Sequence, residues 1–466
     1  MAGVIDHPLI ELADQIVART QPVEERASIQ RRLYNIILYI KRVENKELTQ
    51  KEREFLAHRK LGITAMAASQ ELADGLRDRI RIINEYHIES AFRIYEMLEY
   101  GFEITSPRSL SKKQVLILQE LVKDPMMKVS QLSTRLNKSR HTVTKILNEL
   151  EEHFALSRLY VANRGKLKLS SFILFFQTKS YQHSKALESW VRKSPPLFGT
   201  TLVFDVTFRN GYLGYAIPSQ HRAYRLFTDR LRRLEQTYFK RTQLQELTEH
   251  FWNIRFDYYD SGQGQWLIPP VLKDPSELPR IGQTENSGIT YCTHADLGEP
   301  GDFDCIDLLI TKAKIKAQDT IANIQAYLTQ YGYQLPYPVV SQRINRLTQE
   351  GILFPHLYFS GAGIEEFVGL GITCQPKTRY QLQILASYFP LSFTYLSKQG
   401  ITIFIKLPMG WRDFFSKFVH DLPSVYDIGE VMVVHQERNF GSGLKDEVYV
   451  RWNEKRQYWE FTDDEI

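Results

Sequence analysis

The 466-residue sequence predicts an α+β fold in which a helical amino-terminal region is followed by two tandem units, each a three-helix bundle leading into a βαββαβ sheet. Three observations carry this. Apolar residues recur at helical spacing through the first hundred positions, strands and helices alternate in a fixed order after Ser170, and that whole order starts again near Phe303. With 43% apolar and 24% charged residues the chain can bury sizeable cores, which excludes a disordered class.

The amino-terminal region is read as helices. Arg26 to Val43 carries Leu33, Ile36, Ile37 and Ile40 on one stripe, and Glu71 to Tyr100 reads as one long amphipathic helix ended by Gly101. Glu47 to His58 has the outline of another helical hairpin. After a connector at Ser106, Pro107 and Ser109, the helix Ser111 to Lys123 opens a three-helix bundle. Val129 to Leu150 then reads as helix-turn-helix. It breaks at Asn137 and Lys138, restarts with Ser139 as cap, and buries Val143, Leu147 and Leu150. Lys138, Ser139, Arg140, His141, Thr144 and Lys145 are left on the outer side, where a major groove would meet them.

The stretch His153 to Lys168 holds no acid, and Arg158, Arg164, Lys166 and Lys168 surround a tight turn at Asn163 and Gly165. It reads as a basic wing that would neutralise phosphates. Strands at Ser170 to Gln177, Thr200 to Phe208, Tyr212 to Ile217 and near Trp252 to Tyr259, with helices Ser184 to Lys193 and His221 to Phe239, give the ferredoxin-like order. Tyr259 to Asp302, rich in turn formers, reads as an interdomain segment with a hairpin at Gln265 to Lys273.

The second unit repeats the first. Val340, Ile344 and Leu347 match Val143, Leu147 and Leu150 at an offset of 197, which slips to 189 where Gly400 matches Gly211. Arg343 and Arg346 are its candidate DNA contacts, although its wing region, Pro355 to Phe367, contributes Glu365 and Glu366 and no cation. The expected bounds are 1–104 for the helical domain, 105–168 and 303–364 for the winged helices, 169–260 and 365–437 for the ferredoxin-like domains, 261–302 for the linker and 438–466 for a carboxy-terminal hairpin.

The stretch LPYPVVSQRINRLTQEGIL, with its paired prolines, Arg-Ile-x-Arg-Leu and Glu-Gly-Ile run, resembles the reading helix of the Lrp/AsnC (feast/famine) transcription regulators. The resemblance spans roughly 109–258 and 304–437 and implies binding of double-stranded DNA, pairing of the ferredoxin-like domains and a small-molecule effector between them. The family's effector turn, Gly-x-Tyr-Asp, is replaced by Gly211-Tyr212-Leu213-Gly214 and Gly400-Ile401-Thr402-Ile403, which lack the acid.

Two alternatives stand beside that reading. Siroheme decarboxylases, tetrapyrrole enzymes, are built on a similar scaffold of paired subunits; the third option is a protein-interaction scaffold. The residues themselves give no catalytic constellation, since the histidines fall singly and the glycine clusters lack a phosphate loop's context. Three cysteines without CxxC spacing support neither zinc nor disulfides. The expectation is therefore a cytoplasmic regulator, not an enzyme, without cofactor or metal. It would stay off the membrane and self-associate through its amino-terminal helices or its ferredoxin-like domains.

Overall fold

In the computed structural model, the described residues are 7–21, 23–44, 70–91, 94, 97–98, 109–154, 156–193, 200–205, 207–274, 292–296, 300–314, 320–359, 361–408, 410–435, 438–442, 448 and 451–466. The chain divides into a unit of residues 1–108 and one of residues 109–466.

The smaller unit is built on α1 (Leu9–Arg19), α2 (Arg26–Val43) and α3 (Gln70–Glu85). Ala13, Ile16, Leu33, Ile36, Ile37, Ile40, Leu76 and Ile80 form its core, at the i, i+3, i+4 spacing of apolar stripes. The long helix expected from Glu71 to Tyr100 is corrected: α3 stops at Glu85, and His87 takes a left-handed φ of 50°. Ser90 then bridges back to Gln21, giving the backbone partners that a continuous helix would have used elsewhere. Glu47 to His58 and Gly101 lie outside the described residues.

The larger unit carries two tandem copies of a winged helix-turn-helix followed by a ferredoxin-like domain. The first trio is α4 (Lys112–Lys123), α5 (Val129–Arg135) and α6 (Arg140–His153). After β1 (Ser157–Ala162) come β2 (Leu169–Thr178), α7 (Tyr181–Lys193), β3 (Thr200–Phe204), β4 (Asn210–Pro218), α8 (His221–Tyr238) and β5 (Phe239–Ile254). A short strand β6 (Cys292–Asp296) lies against β5. The second trio is α9 (Cys305–Ala313), α10 (Ile321–Gln330) and α11 (Tyr337–Gln349), followed by β7 (Leu353–Tyr358). Its sheet is β8 (Ile364–Cys374), α12 (Pro376–Ala386), β9 (Leu391–Ser397), β10 (Gly400–Pro408), α13 (Arg412–Val425) and β11 (Ile428–His435), with β12 (Arg438–Ser442) beyond.

The strands run β11-β8-β10-β9-β5-β2-β4-β3-β12, so each copy has the fourth-first-third-second order of a split βαβ fold. The first half of β5 pairs with β2 of its own copy, and its second half pairs with β9 of the other. β12 mirrors this by pairing with β3. Inner faces meet through Phe175 packed on Gly371 and through Tyr212 and Phe404, whose ring centres are 5.0 Å apart. Outer faces are covered by helices; Ala223, Phe227, Leu231 and Leu234 of α8 recur at one stripe, and Phe227 meets Phe172 and Tyr215.

The repeat offsets hold in the backbone register: Gly211 pairs with Phe176, and Gly400 pairs with Thr373. Both positions exclude a Cβ, which would run into the carbonyl oxygen of Val203 or of Ile372. The hairpin expected at Gln265 to Lys273 is corrected. Gln265–Trp266 folds back on Tyr259–Asp260, and Pro270–Lys273 is a single helical turn.

Candidate nucleic-acid interface

Local chemistry sets the turn before α6. Asn137, a residue that tolerates the left-handed region, has φ 48°, and the Ser133 hydroxyl donates to the Lys138 carbonyl at 2.6 Å. Ser139 stays extended and its hydroxyl accepts from the Thr142 amide at 3.1 Å, starting the helix where the sequence placed its cap. Val143, Ile146, Leu147 and Leu150 are buried in the bundle. Arg140, His141, Thr144, Lys145 and Asn148 are exposed, at the i, i+1, i+4, i+5, i+8 spacing of one helical face. Among the described residues no carboxylate pairs with Lys138, Arg140 or Lys145.

The wing is built differently from the sequence reading. β1 does not fold back on β2. It pairs with β7, its counterpart in the other copy, from Ser157 opposite Tyr358 to Ala162 opposite Leu353. Moving each partner by the repeat offset turns the Ser157–Tyr358 pair into the Phe354–Val161 pair, so the ribbon is two-fold symmetric in register. The turn from Asn163 to Lys168 is held from within by the Lys166 amide on Asn163 Oδ1 at 3.2 Å and from without by the Gly301 amide on the Lys166 carbonyl at 2.8 Å.

The wing cations are accordingly dispersed. Arg158 is half-buried, with one Nη donating to the Met127 carbonyl at 3.5 Å. Arg164 acts on Tyr395, whose hydroxyl pKa is raised by burial against the pull of that charge. Lys166 is half-buried and has no carboxylate partner among the described residues. Lys168 donates to Gln457 Oε1 at 3.0 Å and lies over the Trp452 ring, 5.0 Å from its centre. Trp459 fastens the same corner through its indole N–H on the Leu167 carbonyl at 2.8 Å.

Arg343 and Arg346 of the second copy are not on an outer face. Arg343 donates to Asp304 at 2.7 Å and to Asp307 at 2.8 Å, and Arg346 also pairs with Asp307, which is only 1% exposed. Burial pulls both guanidinium pKa values down, but the hydrogen bonds to these carboxylates outweigh it and the net shift is upward. Burial likewise works to raise the Asp304 carboxyl, and the Asp307 amide together with Arg343 holds it below its ordinary range. The first copy has the same brace in weaker form, with Gln114 donating to Glu149 at 3.4 Å. Gln114 and Asp307 are the third residues of their helices' capping boxes, which puts them in equivalent places.

A separate group of side chains that the sequence reading did not single out lies where the β1–β7 ribbon meets the sheet: His250 and Trp252 of β5, Tyr395 and Phe393 of β9, and Phe354 and His356 of β7. No spacing in the sequence joins them, because strand pairing does.

No family model and no curated protein matches the chain. Among solved structures, it is similar to the siroheme decarboxylase NirDL, at 11% identity and a TM-score of 0.42, covering 76% of this chain and 96% of that one. The same enzyme in complex with an iron-uroporphyrin III analogue matches at 11% identity and 0.40, covering 70% and 90%. A transcriptional regulator from Neisseria meningitidis, solved with L-Met, matches at 26% identity and 0.23, covering 30% of this chain and 90% of that one. The expectation of a protein that is not an enzyme is corrected: two of these similar structures are of an enzyme, a siroheme decarboxylase. No helix among the described residues is long and apolar enough to cross a membrane.

Proposed function

We propose that the chain binds duplex DNA through α6 of the first copy, as a transcription regulator of Lrp/AsnC type. The supporting observation is the exposed face of Arg140, His141, Thr144, Lys145 and Asn148, whose cations have no carboxylate partner among the described residues. A capped helix of this width fits a major groove, where Arg140, His141 and Lys145 would reach base edges and Ser139 and Thr144 would approach the backbone. Lys138 and Lys166 would take phosphates, with Arg158, Arg164 and Lys168 supplying positive field from their fixed places. Arg343 and Arg346 hold the second bundle together, so the bound sequence need not be palindromic.

Fluorescence anisotropy against mixed duplex DNA tests it. Affinity should fall with salt along a log–log slope steeper than about −2, as expected for release of counterions from at least two or three phosphates. Replacing Arg140 and Lys145 together by Ala should weaken binding by about tenfold or more. Binding that ignores salt, or that survives the double replacement unchanged, rejects the reading.

A further inference from the structure

The two copies are electrically unequal. Residues 109–258 carry 25 Lys and Arg against 12 Asp and Glu, a net +13, whereas residues 304–437 carry 11 of each. Only part of that excess lies on α6 and in the wing. Five arginines fall on α8, and four of them, Arg222, Arg225, Arg232 and Arg233, are exposed. Their i, i+3, i+10, i+11 spacing makes one stripe, turned away from the buried Ala223, Phe227, Leu231 and Leu234.

Helix stability does not account for this stripe. Arg222 sits in the first turn of α8, where the helix dipole favours an acid, and that turn has none. Arg222 and Arg225, three residues apart, repel each other. The counterpart helix α13 follows the ordinary rule, with Asp413 in its first turn. Nor is the stripe neutralised across the surface. Arg222 meets Asp463 and Arg232 lies 3.6 Å from Asp229, in exposed pairs of the kind that contribute little. Arg225 and Arg233 have no carboxylate partner among the described residues.

We propose that the α8 arginine stripe is a second contact surface for duplex DNA, and that a duplex held by α6 continues past the wing turn and lies along α8. The identity of the partner rests on the DNA reading above; the charge of the stripe does not. The Ser219 amide donates to the Lys168 carbonyl at 2.9 Å, so the wing turn meets the start of α8 and Arg222 follows three residues later. From Arg222 to Arg233 the helix advances about 16 Å, close to half a turn of B-DNA. All four side chains are guanidinium groups, which can pair with two phosphate oxygens at once. Lys179, exposed and donating to the Gln236 carbonyl, adds a cation at the far end. An anionic membrane fits less well, since the stripe holds no apolar side chain to enter a bilayer. The exposed Tyr224 lies on the other flank of α8, where its ring centre is 6.0 Å from that of Phe172.

Anisotropy titrations of the full chain with duplexes of about 12 and about 36 base pairs, roughly one and three helical turns, test the proposal. The longer duplex should bind with a salt slope steeper by about 3, the release expected from three or four further phosphates. Arg225→Gln, Arg232→Gln and Arg233→Gln together, with an intact melting transition, should abolish that difference. They should also weaken binding of the longer duplex by about tenfold or more and leave the shorter one unchanged. Removing equal charge from the second copy, by Lys377→Gln, Lys398→Gln and Lys417→Gln together, should keep both affinities within about twofold, because screening limits the reach of distant charges. A longer duplex whose affinity survives loss of the α8 arginines, or falls as far in the second-copy variant, overturns the proposal. So does tighter binding, through those arginines, of single-stranded RNA of equal length or of phosphatidylserine vesicles, which would name another occupant. The α6 reading fails separately, when the short duplex ignores the Arg140 and Lys145 replacements, and the difference between the two lengths is then judged by itself. A chain that binds neither duplex overturns both.

Discussion

Helices α6 and α11 occupy equivalent places in the two copies, yet the positions of Arg140, His141 and Lys145 on the first are held by Tyr337, Pro338 and Gln342 on the second. Arg343 and Arg346 correspond instead to Ile146 and Glu149, on the side that faces the neighbouring helices. Each helix carries two Lys or Arg residues, so a count of cations alone makes them look alike; where each cation points makes them different. One copy keeps its cations in water and braces its bundle with a neutral amide, whereas the other spends its arginines on a buried carboxylate. Such a division suits a chain in which one repeat contacts a polyanion and the other supplies rigidity.

The contrast can be broken most severely at Asp307. Replacing it by Ala leaves two arginines facing a half-buried space, and chemical denaturation should show a loss of about 2–4 kcal/mol, the range for removing one partner of a buried pair, trimmed because Arg346 keeps some solvent. Glu149→Ala, at the weaker brace, should cost less than about 1 kcal/mol. Equal losses would mean that the two bundles are held alike.

At the outer faces, Arg140→Ala should cost about 1–3 kcal/mol of DNA binding and relax sequence preference, while Arg343→Ala should act on stability and leave the salt slope unchanged. The reciprocal graft, Tyr337→Arg with Gln342→Lys, is expected to steepen the salt slope by no more than about 2 in anisotropy titrations. No change there would show that the second helix is turned away from the duplex.

The smallest effect is on pH. Asp304 has a folded-state pKa below its ordinary value, so its stabilisation is fully present above about pH 4 and is lost as pH falls through the lowered folded value. Hydrogen exchange in α9 should therefore show no loss of this protection between pH 5 and about 4, and a progressive loss as pH falls further. Asp304→Asn should remove that acid-linked part.

Much of this was legible in the chain. The cap at Ser139, the buried stripe of α6 and both repeat offsets follow from local spacing, and the structure keeps them. The inward turn of Arg343 and Arg346 was half visible: Asp304 and Asp307 sit at capping-box spacing ahead of α9, but only the packed bundle brings them to α11. The ribbon was not legible, because β1 and β7 are far apart in sequence and nothing local says that a strand will prefer its counterpart to its neighbour. The group around His250 and His356 was hidden for the same reason. In addition, β5 begins at Phe239, well before the position at which its composition suggested a strand.

The ribbon also bears on how such a chain can be divided. Severed within 275–291 into two polypeptides, each fragment would be left with an open edge, at β1 and the far half of β5 on one side and at β7 and β9 on the other. Neither fragment should be soluble by itself, and the two made together should reassemble by trading strands. The duplicated halves have thus become obligate complements, unable to drift apart into independent proteins.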